Sequence, residues 1–252
     1  MAAGHTHRLY RPGDTAVHRL PPQCKLTSMI AFIVIVVATD PRRFPAFGLY
    51  ALLLATVAAA ARIPPAFLAR RMVVEVPFVI FAVALPFLSQ GERLTVLGLQ
   101  LSADGLLAAW NILAKATLGV IASILLAATT EPRALLLGVQ RMRLPALLTQ
   151  IATFMLRYVD VIVDEMRRMR IARESRAFVA KDIRHLPVVA RSAGALFIRS
   201  YERGERVHLA MLSRGYTGTM PIIHDVPGSA AQWALAATLP MTAIAVLLGG
   251  LL

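Results

Sequence analysis

Two arginines carry the most specific chemistry in this chain, because Arg176 and Arg214 each close the same short pattern. Residues 172–178 read ARESRAF and residues 210–216 read AMLSRGY, both Ala-x-x-Ser-Arg-small-aromatic. An apolar residue stands seven positions before each arginine and an alanine four before it: Met169 and Ala172, then Val207 and Ala210. That spacing places them on one helical face. Each copy therefore reads as a helix whose last turn presents a cation and which stops at a small residue. A projecting guanidinium suits a groove lined by carboxylates, and two matched ends suit a partner with two matched sites. Adsorption of basic helices on anionic lipid would account for the charge. It would not account for alanine, serine and an aromatic residue recurring at fixed offsets.

Other chemistries find little support. The chain has no G-x-x-x-x-G-K-[ST], H-E-x-x-H, C-x-x-C or nucleophile-elbow pattern, so no P-loop, zinc or acyl-transfer site is expected. We expect a non-catalytic protein without a cofactor and without metal ligands. His5 and His7 form an H-x-H that could hold a divalent ion weakly, but they read as part of a solvated tail, and His18, His185, His208 and His224 are isolated. The single cysteine, Cys24, excludes an intrachain disulfide. Glu75 and Lys115 lie inside apolar runs, where ionisable groups are costly. Glu75 follows Arg71 by one helical turn, which would pair it near an interface. Lys115 reads either as part of a substrate path or as an anchor for helix packing through carbonyls.

The elements that must position the arginines follow from composition. At 57% hydrophobic, with a mean hydropathy of +0.63, the chain is too apolar for a water-soluble fold. It reads as an all-α, polytopic membrane protein. Five apolar runs are candidate spans: Leu26–Ala38, Ala46–Ala61, Met72–Leu88 with Pro77 and Pro86, Gly105–Ala128, and Ala230–Leu252. The first is short and needs tilt or local thinning. A hydrophilic stretch, Ser89–Asp104, separates the third from the fourth. The N-terminal MAAGHTHRLYRPGD lacks an apolar core and does not read as a cleavable signal peptide.

Residues 1–130 are expected to form a membrane domain of four spans, 131–228 a cytoplasmic domain, and 229–252 the last span. The middle segment holds 16 of the 27 Lys+Arg, which should keep it in the cytoplasm. The formal charge of +13 thus has a membrane-topology cause and needs no nucleic acid. Threading five spans from there puts the N-terminus in the cytoplasm, with Arg42 and Arg43 as the exception on the outer side. Within the segment, helical periodicity runs from Leu144 to Arg176, with Pro145 at a first-turn position. Pro187 interrupts it, a second helix runs from about Val188 to Arg214, and Gly215 is a natural C-terminal cap residue. A short amphipathic piece, Pro132–Arg141, precedes both.

Beyond the two motifs, the likeness extends over most of the chain. It includes Pro22, Lys25 and Leu26 before the first span and Thr129-Thr130 after the fourth. The strongest blocks are Arg157-Tyr158 through Glu165, Arg168-Met169, Ala172 and Arg176, and then Glu202-Arg203 through Ala210-Met211, Arg214, Gly215 and Tyr216. On these residues the chain resembles the transmembrane (T) component of energy-coupling-factor (ECF) transporters, most closely the CbiQ type assigned to cobalt uptake. The family's signature is two Ala-Arg-Gly-like triplets at the ends of crossed coupling helices. Here they read Ser175-Arg176-Ala177 and Ser213-Arg214-Gly215, with alanine standing for the first glycine.

The resemblance implies that each triplet docks on one of two ABC-type ATPase subunits, supported by Arg157, Glu165, Met169, Ala172, Glu202, Arg203 and Ala210. It also implies a substrate-binding (S-type) membrane subunit as a further partner within the bilayer of the cell membrane. A T component for nickel or a vitamin is the alternative within the family. A stand-alone permease using Glu75 and Lys115 is the alternative outside it, and it leaves the long basic helices without a task.

Overall fold

The computed structural model describes residues 9–89, 93–96, 99–142, 145–178, 182–218 and 228–249. His5, His7, His224, Leu144, Lys181 and the end of the last apolar run past Gly249 lie outside the described residues. The chain divides into two compact units, 9–142 with 228–249 and 145–218.

The first unit is built of apolar helices. A single turn, α1 (Ala16–Arg19), precedes α2 (Pro22–Ala38) and α3 (Phe44–Ala60), each of which begins with a proline in its first turn, where the missing N–H costs nothing. Next come α4 (Pro65–Arg71), a short 3₁₀ stretch (Met72–Glu75) and α5 (Val76–Leu88), which together make one apolar stretch of 24 residues. This third run starts earlier than Met72. Pro65 opens α4, so Arg70 and Arg71 fall inside the helical stretch.

The hydrophilic connection is not all loop: β1 (Arg93–Val96) and β2 (Leu99–Ser102) pair as an antiparallel hairpin, the one departure from helix among the described elements. The Ser102 hydroxyl then accepts from the Gly105 N–H to cap α6 (Ala103–Thr129). Helices α7 (Pro132–Arg141) and α10 (Ala230–Gly249) complete the unit. Three stretches, Pro65–Leu88, α6 and α10, are long and apolar enough to cross a membrane; α2 and α3, at 17 residues, sit at the short limit. The protein is a multi-pass, all-α membrane protein.

The core lies where α2, α3, α6 and α10 meet. Phe32, Tyr50, Leu54 and Leu125 are its largest fully buried side chains. The Phe32 and Tyr50 rings pack edge to face at 5.9 Å, and the Tyr50 hydroxyl lies 3.0 Å from Thr39 Oγ1. Gly105 brings α6 against α5 so closely that a Cβ there would stand 2.7 Å from Pro86 Cα. Gly138 does the same for α7 on the start of α2, so α7 groups with the apolar helices.

Helix ends dictate the rest. The last carbonyls of a helix lack intrahelical partners, and hydrocarbon offers none. At the end of α2, the Thr39 hydroxyl donates to the Ile35 carbonyl (2.9 Å), the Thr39 N–H to that of Val36, and Lys115 Nζ to that of Val37 (2.8 Å). At the end of α6, Thr129 Oγ1 donates to the Leu125 carbonyl, the Arg11 N–H to that of Ala128, and Lys25 Nζ to that of Thr129 (2.8 Å). Lysines of α2 and α6 therefore cap each other's C-termini across an antiparallel pair. Because α2 is much the shorter helix, its end falls beside the middle of α6, where Lys115 sits. Arg43 does the same work for α10, donating to the Leu247 carbonyl at 2.9 Å. That contact gives Arg43, one of the two arginines that depart from the expected charge distribution, a local role.

The second unit is an antiparallel pair, α8 (Ala146–Glu174) and α9 (Leu186–Leu212), about 43 and 40 Å long at 1.5 Å per residue. Pro187 occupies the first turn of α9, which therefore begins two residues before the expected Val188; a 3₁₀ turn, Ile183–His185, leads in.

Lys115→Met should leave the Val37 carbonyl without a donor and destabilise the detergent-solubilised protein by about 1–3 kcal/mol. Thermal unfolding should show the midpoint fall, with Lys115→Arg recovering most of it; an unchanged midpoint for the Met variant would remove the capping role.

Candidate functional site

The two arginine motifs end their helices with the same hydrogen bonds. After α8, the Phe178 N–H bonds the Arg173 carbonyl and the Ala177 N–H that of Glu174, both at 3.0 Å. After α9, the Tyr216 N–H bonds the Met211 carbonyl and the Gly215 N–H that of Leu212, again at 3.0 Å. This is the Schellman closure, in which backbone N–H groups beyond the helix satisfy its orphan carbonyls. It requires a left-handed residue one place after each arginine: Ala177 has φ 58° and Gly215 φ 82°.

The serines act alike too. Ser175 Oγ donates to the Ala172 carbonyl (3.1 Å) and Ser213 Oγ to that of Ala210 (3.0 Å). The repeated letters thus encode one terminator: alanine supplies a carbonyl, serine fills it, the small residue turns left, and the aromatic N–H closes the ring. The backbone N–H groups of Arg176 and Arg214 also reach the Arg173 and Met211 carbonyls, but their side chains take no part in the closure, and both residues are exposed.

Three contacts set the pair's geometry. Gln150 Nε2 donates to the Tyr216 hydroxyl, Arg199 reaches Glu165 at 2.6 Å, and the Phe178 ring packs edge to face on His185 at 5.3 Å. Their opposite order along the two helices places the Arg176 end and the Arg214 end at opposite extremes, about 40 Å apart by helical rise. Glu165 is half-buried and also lies 3.8 Å from Arg168. Met169 is half-buried, Ala172 and Ala210 are exposed, and Arg157 lies 6.0 Å from the centre of the Tyr158 ring. Glu202 is 4.0 Å from Arg206, and Arg203 is exposed beside it. Two open grooves flank the pair. One, of about 490 Å³, is mainly apolar and runs from Leu147 and Tyr216 along the pair to Glu165 and Leu196. The other, of about 370 Å³, is lined by four arginines.

Arg199 is the residue that periodicity alone does not single out. Its role comes from pairing with Glu165 on another helix, 34 positions away, and nothing local marks it. In the membrane unit, Glu75 is buried and accepts from the Thr117 hydroxyl of α6, whereas Lys115 bonds the Val37 carbonyl, so the two ionisable groups serve different contacts. Among the described residues no group of three or more His, Cys, Asp or Glu side chains converges.

A family profile described as the cobalt transport protein CbiQ matches residues 13–224, which include both motifs and most of the apolar helices. The chain belongs to the CbiQ family. Its relatives include the energy-coupling factor transporter transmembrane protein EcfT of Bacillus selenitireducens, 30% identical over 83% of this chain and 82% of that protein. The cobalt transport protein CbiQ of Rhodobacter capsulatus is 28% identical over 79% and 80% of the two chains. An EcfT of Lactococcus lactis is 26% identical over 83% of each. As a CbiQ-family member the chain is the transmembrane component of an ECF-type transporter.

The first terminator contains a testable strain. A non-glycine residue at positive φ costs roughly 1–2 kcal/mol, so Ala177→Gly should slow amide exchange at Ala177 and Phe178 severalfold. Gly215→Ala should speed exchange at 215 and 216. Equal exchange in parent and variants would deny the left-handed closure.

Proposed function

We propose that this protein is the scaffold and coupling subunit of an ATP-driven importer, holding two ABC-type ATPase subunits on its arginine ends. The observation that carries this reading is the identical closure of α8 and α9, which leaves one uncommitted, exposed arginine at each of two ends about 40 Å apart. Ends that far apart suit two separate sockets. Because each end is stiffened by its own backbone bonds, a push on Arg176 or Arg214 passes into a whole helix. Such coupling needs ATPase states that differ in contact energy with the helix ends.

A substrate-binding membrane subunit completes the assembly, and we assign to it the apolar groove between α8 and α9, whose Leu147, Ile151, Phe154 and Met155 suit an apolar helix laid in a groove. On this reading the basic segment and the N-terminus face the cytoplasm, in the cell membrane. Domains follow the same logic: 1–130 and 229–252 in the bilayer, 131–228 for coupling. The substrate we propose is cobalt, supported by the family description and by the relative from Rhodobacter capsulatus. The relatives named EcfT favour a second reading, a scaffold serving another substrate, because their names carry no metal. The recovered substrate-binding subunit decides between the two.

Arg176→Glu combined with Arg214→Glu should leave the protein inserted in the membrane and abolish co-purification of the ATPase subunits in mild detergent. Either single change should weaken it. Intact co-purification and transport by the double variant would sink the assignment.

A further inference from the structure

The two ends match in backbone but not in surroundings. Behind Arg176, Arg168 and Arg173 continue along the same broad face of α8 and line a groove with Arg199 and Ser192 of α9. Among the described residues Glu165 is the one acid lining it, and Arg199 already holds that carboxylate at 2.6 Å. Arg173 and Arg176 have no acidic partner among the described residues, so the groove carries a net positive charge along nearly three turns of helix. The Arg214 end adjoins the other groove, where Leu147, Ile151, Phe154 and Met211 stand nearest that end and the lining cations, Arg199 and Arg203, lie further along α9.

We propose that the Arg176 end docks through this whole cationic groove, which takes an acidic helical face of one ATPase subunit, and that the two docking ends therefore differ in chemistry. The proposal rests on the ATPase-docking reading above and extends it from one arginine to three. Carboxylates one and two turns apart on a partner helix match the spacing of Arg168, Arg173 and Arg176. Guanidinium groups favour carboxylates with two-point hydrogen bonding. Exposed charges of this kind chiefly set association rate and salt dependence. The Arg176 end should then release its subunit on raising salt, while the Arg214 end, beside an apolar groove, should hold.

The test uses the full chain in phosphatidylcholine nanodiscs, titrated at low and high salt with the ABC-type ATPase subunits that co-purify with it. Arg168→Gln combined with Arg173→Gln, with Arg176 intact, should weaken binding about tenfold at low salt and flatten the salt dependence. Arg168→Lys with Arg173→Lys should retain most of the salt slope. Wild-type affinity and slope in the Gln variant would overturn the proposal while leaving the docking reading in place. Failure of the wild-type chain to bind any ATPase would overturn both. Unchanged ATPase binding, together with loss of a thermal stabilisation that phosphatidylglycerol discs give the parent, would reassign the groove to lipid headgroups and overturn the proposal.

Discussion

How helices end is the constraint on which this structure depends. Every α-helix finishes with carbonyls that its own N–H groups cannot reach. In the apolar unit water is not at hand to fill them, and the chain uses cations from neighbouring elements. Lys115 fills the end of α2, Lys25 that of α6, and Arg43 that of α10. Each such contact fixes one helix against another at a defined height, so capping also sets register. The reciprocal pair between α2 and α6 makes the short first helix and the longest apolar helix a single element. A lysine in the middle of an apolar run, costly by itself, becomes a consequence of a neighbour that stops early.

The polar unit solves the same problem without side-chain cations. At α8 and α9 the backbone turns left and returns its own N–H groups to the open carbonyls. A serine fills one more carbonyl at each end. Arg176 and Arg214, though sited where a helix dipole favours a cation, are left uncommitted. Lys25, Lys115 and Arg43 in the apolar unit are consumed by helix ends, whereas the side chains of Arg176 and Arg214 are spared by theirs. That difference is the physical basis for assigning them to a partner, and it explains why four neighbouring letters repeat with each arginine.

Much of this was legible in the sequence. The apolar runs, the amphipathic helix Pro132–Arg141 and the stops at Arg176 and Arg214 follow from periodicity, prolines and one glycine. The equivalence of Ala177 and Gly215 followed from the aligned motifs, although only the backbone shows both in the left-handed region. Pro187 moved the expected start of α9 from Leu186 to about Val188, because proline breaks a helix interior yet suits a first turn. The hairpin at Arg93–Ser102 is carried by period-two alternation, Leu94 and Val96 then Leu99 and Leu101 around Gly98, inside a stretch whose flanking polar residues read as hydrophilic. Contacts between elements left no trace in the linear text. Lys115 with Val37, Arg199 with Glu165 and Gln150 with Tyr216 each join residues tens of positions apart. The identity of the substrate belongs to another subunit on the proposed reading, so this chain has little reason to encode it.

The most direct test of that reading is to ask what touches each helix end in the intact membrane. Ser175→Cys and Ser213→Cys, each placed in a Cys24→Ser background, provide a single thiol beside Arg176 or Arg214. After treatment of native membranes with a short thiol-to-amine cross-linker, the account predicts that both positions capture an ATP-binding-cassette subunit. Capture at neither position, with the protein still inserted and transporting, would contradict it.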